Sequence, residues 1–231
     1  ELICPSGHLF TDGAPCERCK GHRYLNAWKH RCKHGDATLS AAVAMEKYVH
    51  QALRVTEWVD RFLCPSAFLG QKLVDFGFPA KRVRHLPNFL HSARYTAEGD
   101  LGNYWLYAGR LTTEKGVSTL LDAARILPNH TLRIAGDGPL RVALEQRAGT
   151  LGNIEFLGHL SRTELAAQVE GAGVVAVPSI WYENFPYAVT EAQAAGRPVV
   201  ASRIGGIVEQ ITDGEDGRLV TPGDASALAH A

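Results

Sequence analysis

From Asn103 onward, short apolar runs alternate with amphipathic ones, and this alternation constrains the fold more than any other feature of the chain. Tyr104 to Ala108, Thr131 to Ala135, Ile154 to Leu157, Val174 to Val177, Pro198 to Ala201 and Arg218 to Val220 read as short strands. Between the first two, Val117, Leu120, Leu121 and Ala124 fall at i, i+3, i+4 and i+7, the stripe of an amphipathic helix. Leu140 to Arg147 reads as a helix, and Ser161-Arg-Thr-Glu164 is a capping box that opens another. Pro186 to Ala195, Ile207 to Ile211 and Ala225 onward complete the helical set. Strands alternating with helices are βαβ units, so the sequence predicts a parallel sheet flanked by helices.

The first 96 residues are less regular. Residues 1–36 are rich in Cys, His, Gly and Arg, show neither helical nor strand period, and read as a loop that something must hold. Thr38 to Trp58 reads as a helix, Val59 to Cys64 as a short buried strand, and Ser66 as the cap of a helix ending near Gly77. Arg82 to Leu86 reads as a strand that Pro87-Asn88 breaks. Four of the five cysteines lie in the loop, as Cys4-x11-Cys16-x2-Cys19-x12-Cys32. That spacing suits a structural zinc held by Cys4, Cys16, Cys19 and Cys32, with reduced thiols or a disulfide as alternatives. Cys64, in an apolar run, reads as an inert buried thiol.

Hydrophobic residues at 45% and charged ones at 21% exclude disorder. No apolar stretch approaches the ~20 residues that span a bilayer. Formal net charge is zero, and nothing here asks for a nucleic-acid partner. The charge is nonetheless uneven: residues 1–96 carry 14 Lys/Arg against 8 Asp/Glu, and residues 97–231 carry 10 against 16. Either the two halves attract each other, or the basic half faces an acidic acceptor or an anionic membrane, in peripheral association. The chain opens mid-pattern at Glu1-Leu-Ile-Cys-Pro5 and stops inside a helix, so it reads as a fragment truncated at both ends.

Ligands of open parallel sheets bind beyond the carboxyl ends of the strands. That rule selects the loops from Gly109-Arg110 to Lys115, Gly136 to Pro139, Leu157 to His159, Ser179 to Pro186 and Ser202 to Ile207. Arg110 and Lys115 are two cations on this rim, one able to fork onto phosphate oxygens and one a point charge. The helix starting near Pro186 offers free backbone N–H groups and the positive end of its dipole. No phosphate loop of the type GxxxxGK[ST] is present, and Gly136-Asp-Gly138 fails GxGxxG because position 141 is Arg. Glu183 and Glu191 make sense as acceptors for hydroxyls, since a carboxylate can take both hydrogen bonds of a vicinal diol. The rim therefore reads as a site for a nucleoside diphosphate carrying a sugar.

The ordered set Tyr107-Ala-Gly-Arg-Leu111, Glu114-Lys-Gly116, Ile134-Ala-Gly-Asp-Gly-Pro139, Phe156-Leu-Gly158, Pro178-Ser179, Glu183 to Glu191, Ala194 to Ser202 and Gly205-Gly206 resembles the C-terminal half of group 1 (family 4) retaining glycosyltransferases of the GT-B fold. The resemblance covers roughly residues 55–231, and the cysteine loop is similar to one found in a subset of that family. It implies an α/β chain with two Rossmann-like domains: an incomplete acceptor-side domain in residues 1–96 and a nucleotide-sugar-binding domain in residues 97–231. It implies a donor site made by Gly109, Arg110, Lys115, Gly136, Leu157, Gly158, Glu183, Asn184, Phe185, Pro186, Tyr187 and Glu191. In it Arg110 and Lys115 hold the diphosphate, Glu191 the ribose and Glu183 a hydroxyl of the transferred sugar, with Glu183, Arg110 and Lys115 catalytic. Asn184 and Pro186 depart from the commonest pattern, where Gly is frequent. The implied reaction moves a sugar from a UDP- or GDP-sugar to a glycan or lipid-linked acceptor with retention, by front-face attack and without a required cofactor. The implied setting is polysaccharide or cell-envelope synthesis, in the cytoplasm or at the inner face of the membrane. A sugar-nucleotide epimerase of the same fold and a non-catalytic nucleotide-sugar-binding remnant are the competing readings.

Overall fold

The computed structural model describes residues 3–91, 95–97, 100–149 and 151–231. The chain divides into two compact units, Glu1–Pro87 and Asn88–Ala231. The boundary between these compact units falls at Pro87, where the sequence pattern breaks. Residues beyond it belong to the second unit: Asn88 Nδ2 donates to the Phe185 carbonyl at 3.2 Å, and the Thr96 amide donates to Glu170 Oε1 at 2.7 Å.

In the first unit, the segment read as featureless holds a small hairpin, β1 (Phe10–Thr11) with β2 (Ala14–Pro15), and a short helix, α1 (Leu25–Lys29). Neither has a periodic signature, because each is too short to show one. Asp36 caps α2 (Ala37–Ala52), its side chain accepting from the Leu39 amide at 2.7 Å. The helix does not run on to Trp58: Arg54 is left-handed at φ +52°, and Val55–Trp58 is a separate 3-10 turn. Strands β3 (Phe62–Cys64) and β4 (Val83–His85) pair in parallel, joined by α3 (Ala67–Asp75), which Ser66 caps as expected. Cys64 is buried, and burial pushes its thiol pKa up, in keeping with an inert role.

The apolar side chains that the cysteine segment buries are few: Ile3, Leu9 and Ala27, with Cys4 and Cys19. Its buried cluster is Cys19, Ala27 and Ala44, with Tyr24 and Cys32 packed against it. A buried methylene contributes about 0.8 kcal/mol, while fixing each residue's backbone costs about 1–2 kcal/mol. Leu9, Asp12, His22, Arg31 and His34 are moreover left-handed, with φ between +46° and +63°, a region that costs L-residues roughly 1–2 kcal/mol each.

The second unit carries a six-stranded, all-parallel sheet in the order β7-β6-β5-β8-β9-β10. The strands are β5 (Tyr104–Ala108), β6 (Thr131–Ala135), β7 (Ile154–Gly158), β8 (Val174–Val177), β9 (Val199–Ser202) and β10 (Gly217–Val220). Successive residues point to opposite faces, and both faces are buried. Leu106, Val175 and Val177 join one cluster, under α6 (Arg162–Glu170) and α7 (Tyr187–Ala194). Trp105, Tyr107 and Ala176 join the other, under α4 (Val117–Ile126), α5 (Arg141–Ala148) and α8 (Ala225–Ala229). Val117, Leu120, Leu121 and Ala124 are all at most 1% exposed, so the α4 stripe is core. The capping box of Ser161 and Glu164 forms in full at the start of α6. Segment Ile207 to Ile211 differs from expectation: the turn is 3-10 and spans Gly205–Glu209.

Candidate donor-binding site

The strand order determines where a ligand can sit. The chain runs outward from β5 to β6 and β7, then returns to place β8 on the other side of β5. At such a reversal of strand order the rule for open parallel sheets places ligands beyond the carboxyl ends of the strands, here β5 and β8. The β5 loop carries Gly109, Arg110 and Lys115, and the β8 loop carries Glu183 to Pro186.

The two loops are knit together by backbone. The Ile180 amide donates to the Glu114 carbonyl at 2.9 Å. Gly116, at φ +70°, passes so close to the β8 loop that a Cβ there would stand 1.9 Å from the Pro178 carbonyl oxygen. Only glycine fits both the left-handed backbone and that approach. Gly116→Ala is expected to destabilise the chain by about 1–3 kcal/mol from backbone strain alone, with more from the clash, measured by denaturant unfolding.

This approach brings Lys115 to Glu183. Lys115 Nζ donates to Glu183 Oε1 at 2.7 Å and lies 5.1 Å from the centroid of the Trp181 ring. Ser179 Oγ donates to the same carboxylate oxygen at 2.7 Å. Glu183 is only 6% exposed. Its charge is tolerated there because a cation and a hydroxyl satisfy it. Its own backbone is pinned by the Gly206 amide, which donates to its carbonyl at 2.7 Å. A Cβ on Gly205, left-handed at φ +61°, would fall 2.5 Å from that carbonyl. The Tyr107 hydroxyl lies beneath and donates to the Arg110 carbonyl at 2.7 Å. Burial, with the charges of Glu183 and Glu114 added, pushes its pKa far up, so it stays a neutral donor. Arg110 is exposed, and among the described residues no carboxylate forms an ion pair with it.

Helix α7 begins at Tyr187 behind Pro186, which serves as its cap residue without a side-chain bond to the free amides. Its start is held from outside: Gln210 Nε2 donates to the Pro186 carbonyl at 3.3 Å and to Thr190 Oγ1 at 3.1 Å. Asn184 and Tyr187 are exposed, and Phe185 and Pro186 half-buried. Glu191 lies one turn further on, half-buried and hydrogen-bonded by Tyr95. Burial pushes its carboxyl above the ordinary range, and Tyr95 offsets part of that. At the neighbouring strand ends the Gly109 amide donates to Ala135 and the Gly136 amide to Gly158, at 3.0 and 2.7 Å. Leu157 is half-buried beside the buried Gly158.

The sequence-predicted residues thus lie on the loops of adjacent strands and on the first turns of α7. The structure joins Lys115 and Glu183 directly, which the sequence reading did not foresee. Asn88, Tyr95, Ser179, Trp181 and Gln210 were given no role there. Ser179 acts within its own loop, four residues from Glu183, whereas Asn88, Tyr95, Trp181 and Gln210 act across 20 or more residues and meet their partners only through the tertiary fold. An apolar cavity of about 400 Å³, lined by Trp105, Val174, Val199, Gly217 and Leu228, opens at the amino ends of the strands, away from this chemistry. Among the described residues no group of three or more His, Cys, Asp or Glu is arranged to hold a metal ion.

A six-stranded parallel sheet of this order, with cations, acids and a helix start at its switch point, defines an open α/β domain of the doubly wound class. Residues 96–231 match the family of glycosyl transferases, group 1, and the chain belongs to that family. It is 33% identical over 208 residues to a glycogen synthase of Mycobacterium tuberculosis, covering 81% of this chain and 48% of that protein. It is 38% identical over 136 residues to a phosphatidyl-myo-inositol mannosyltransferase of Mycobacterium leprae, covering 57% of this chain and 36% of that one. The chain therefore spans about half the length, or less, of these curated relatives. It shares its fold with Anabaena Alr3699/HepE, solved in complex with UDP and glucose, at a TM-score of 0.67 and 23% identity over 74% of this chain and 52% of that one. The GT-B type of α/β architecture implied by the sequence motifs is the fold of this chain.

Proposed function

We propose that this chain carries the donor site of a retaining glycosyltransferase that uses a UDP- or GDP-sugar, with residues 97–231 as the nucleotide-sugar domain and residues 1–96 as part of the acceptor side. The observation that carries this reading is the buried Glu183, tethered to Lys115 at the switch point of the sheet. A carboxylate so held accepts hydrogen bonds from sugar hydroxyls, and the cation beside it faces the developing negative charge of a leaving diphosphate. As the bond from the anomeric carbon to the diphosphate oxygen breaks, its electron pair stays on that oxygen. Lys115, Arg110 and the amides at the start of α7 stabilise that charge. The acceptor hydroxyl attacks from the same face, forms the new glycosidic bond, and gives its proton to the departing diphosphate. Glu191 holds the ribose diol, and the backbone at Leu157-Gly158 meets the base.

The acceptor is a glycan or a lipid-linked acceptor, a reading supported by the relative named for phosphatidyl-myo-inositol. The basic excess of residues 1–96 suits an anionic membrane surface at the cytoplasmic face. None of the described helices is long and apolar enough to cross a membrane.

Thermal unfolding with a panel of nucleotide sugars tests the donor reading. A donor at one hundred times its Kd adds about 2.7 kcal/mol, which raises Tm by roughly 5–10 °C in a chain this size. Arg110→Ala should reduce the shift. If no UDP- or GDP-sugar shifts Tm, the donor reading is wrong.

A further inference from the structure

The cysteine segment folds around its thiols. Cys4 opens a turn closed by the Gly7 amide, which donates to the Cys4 carbonyl at 3.0 Å. The β1–β2 hairpin then returns the chain, and the Cys16 amide donates to the Leu9 carbonyl at 2.7 Å. Cys19 follows in the next turn, where the Lys20 amide donates to Glu17 at 2.9 Å. Helix α1 delivers Cys32, whose amide donates to the Ala27 carbonyl at 2.9 Å. All four cysteines are free thiols, and all four line one small cavity with room for about one water-sized body, ≈ 10 Å³.

We propose that Cys4, Cys16, Cys19 and Cys32 bind one zinc ion as thiolates, and that this ion is the cross-link that holds residues 4–32 in shape. The proposal is independent of the donor site. Three lines of geometry support it. Four cysteines from separate stretches line one small cavity, and four thiolates are a complete tetrahedral set for structural zinc. The Cys4 sulfur is already dressed with donors: the Ser6 hydroxyl lies 3.1 Å away, and the amides of Ser6, His8 and Leu9 also hydrogen-bond it. Such outer-shell donors orient a ligand and stabilise its thiolate. The Arg18 guanidinium, ion-paired to Asp12 at 3.0 Å, also lines the cavity near Cys16 and Cys32, where it would add positive charge beside a four-thiolate zinc centre. His30 also lines the cavity, but its Nδ1 lies 3.2 Å from Arg18 Nη1 and the residue is exposed, which makes it a poor fifth candidate.

The sulfurs do not yet stand as a metal-binding group. Zinc–sulfur bonds of about 2.3 Å require sulfurs roughly 3.8 Å apart. Binding therefore draws the side chains inward onto the cavity, and metal binding is coupled to the order of the segment.

The test uses the whole chain, purified under reducing conditions. Metal analysis after gel filtration should give one zinc per chain. Replacement by cobalt should give thiolate-to-metal charge-transfer bands and the intense visible bands of a tetrahedral site. Cys16→Ser/Cys19→Ser should abolish both the zinc and the cobalt spectrum, while Cys64→Ser should keep both. Because the double variant could misfold, protection of the wild-type thiols is read as well: alkylation should be slow until a chelator is added. Substoichiometric zinc with all thiols alkylated at once overturns the proposal. So does intact mass showing one or two disulfides in the native protein.

Discussion

Replacing Lys115 by Met is expected to destabilise the chain by about 3–5 kcal/mol, because it strands a buried carboxylate. Glu183 is 6% exposed, and Ser179 alone would remain to satisfy Oε1. Adding Glu183→Gln should recover most of the loss, since the double variant removes both charges together. Glu183→Gln alone leaves a cation that is 21% exposed and can turn to water, so its cost should be smaller. Transfer should behave differently from stability. Each single variant and the double variant should lose at least about 10²–10³-fold in kcat, the cost of removing one preorganised charge from a reacting centre. Denaturant unfolding of the four proteins closes the cycle, and nucleotide-sugar turnover by the full-length enzyme gives the second readout. If activity returns with stability in the double variant, the pair is a structural tether and the proposed roles of Lys115 and Glu183 fall.

How much of this was legible beforehand divides by range. The α4 stripe, the Ser161 capping box and strands β5, β6 and β8 were readable because their signals are local: a period, a cap, a run of apolar residues. Arg110, Lys115, Glu183 and Glu191 were readable as a rim because the βαβ rhythm places all of them after strands or on a following helix. Their partnerships were not. Lys115 and Glu183 are separated by 68 residues, and they meet only because β8 returns to lie against β5. Nothing in either loop announces that order. Tyr95 lies in a stretch without period, so its hydrogen bond to Glu191 had no sequence signal at all. Helix α1 was missed for the opposite reason: five residues with no side-chain cap, and with Leu25 and Trp28 exposed, make no stripe to detect. The end of α2 at Ala52 was missed because the apolar spacing continues past the left-handed Arg54.

Glu191 provides the sharpest pH signature. Burial holds its carboxyl above the ordinary value of 4.5, with Tyr95 pulling part of the way back. A carboxyl whose pKa is raised on folding stabilises the protein fully below about pH 4.5, and that contribution is lost as pH rises through the folded value. At neutral pH the ionised Glu191 therefore opposes folding, and Glu191→Gln should raise Tm. The gain should vanish below about pH 4.5, where both side chains are neutral. Tyr95→Phe removes the offsetting bond, so it should lower Tm at neutral pH and push the titration higher still. Donor binding pulls the other way, because ribose hydroxyls donate to the charged form. Loss of hydrogen bonds to a charged group costs about 1.5–3 kcal/mol, so Glu191→Gln should weaken UDP- or GDP-sugar binding by roughly 10–150-fold. For the wild type, affinity should fall as pH drops through the raised pKa, starting above the usual carboxylate range. Calorimetry should detect a proton released on binding within that window. A variant that is more stable yet binds the donor poorly is the expected mark of an acid kept for its ligand, since a purely structural carboxylate would lose stability on the same substitution. If Glu191→Gln binds the donor as tightly as the wild type, Glu191 does not hold the ribose.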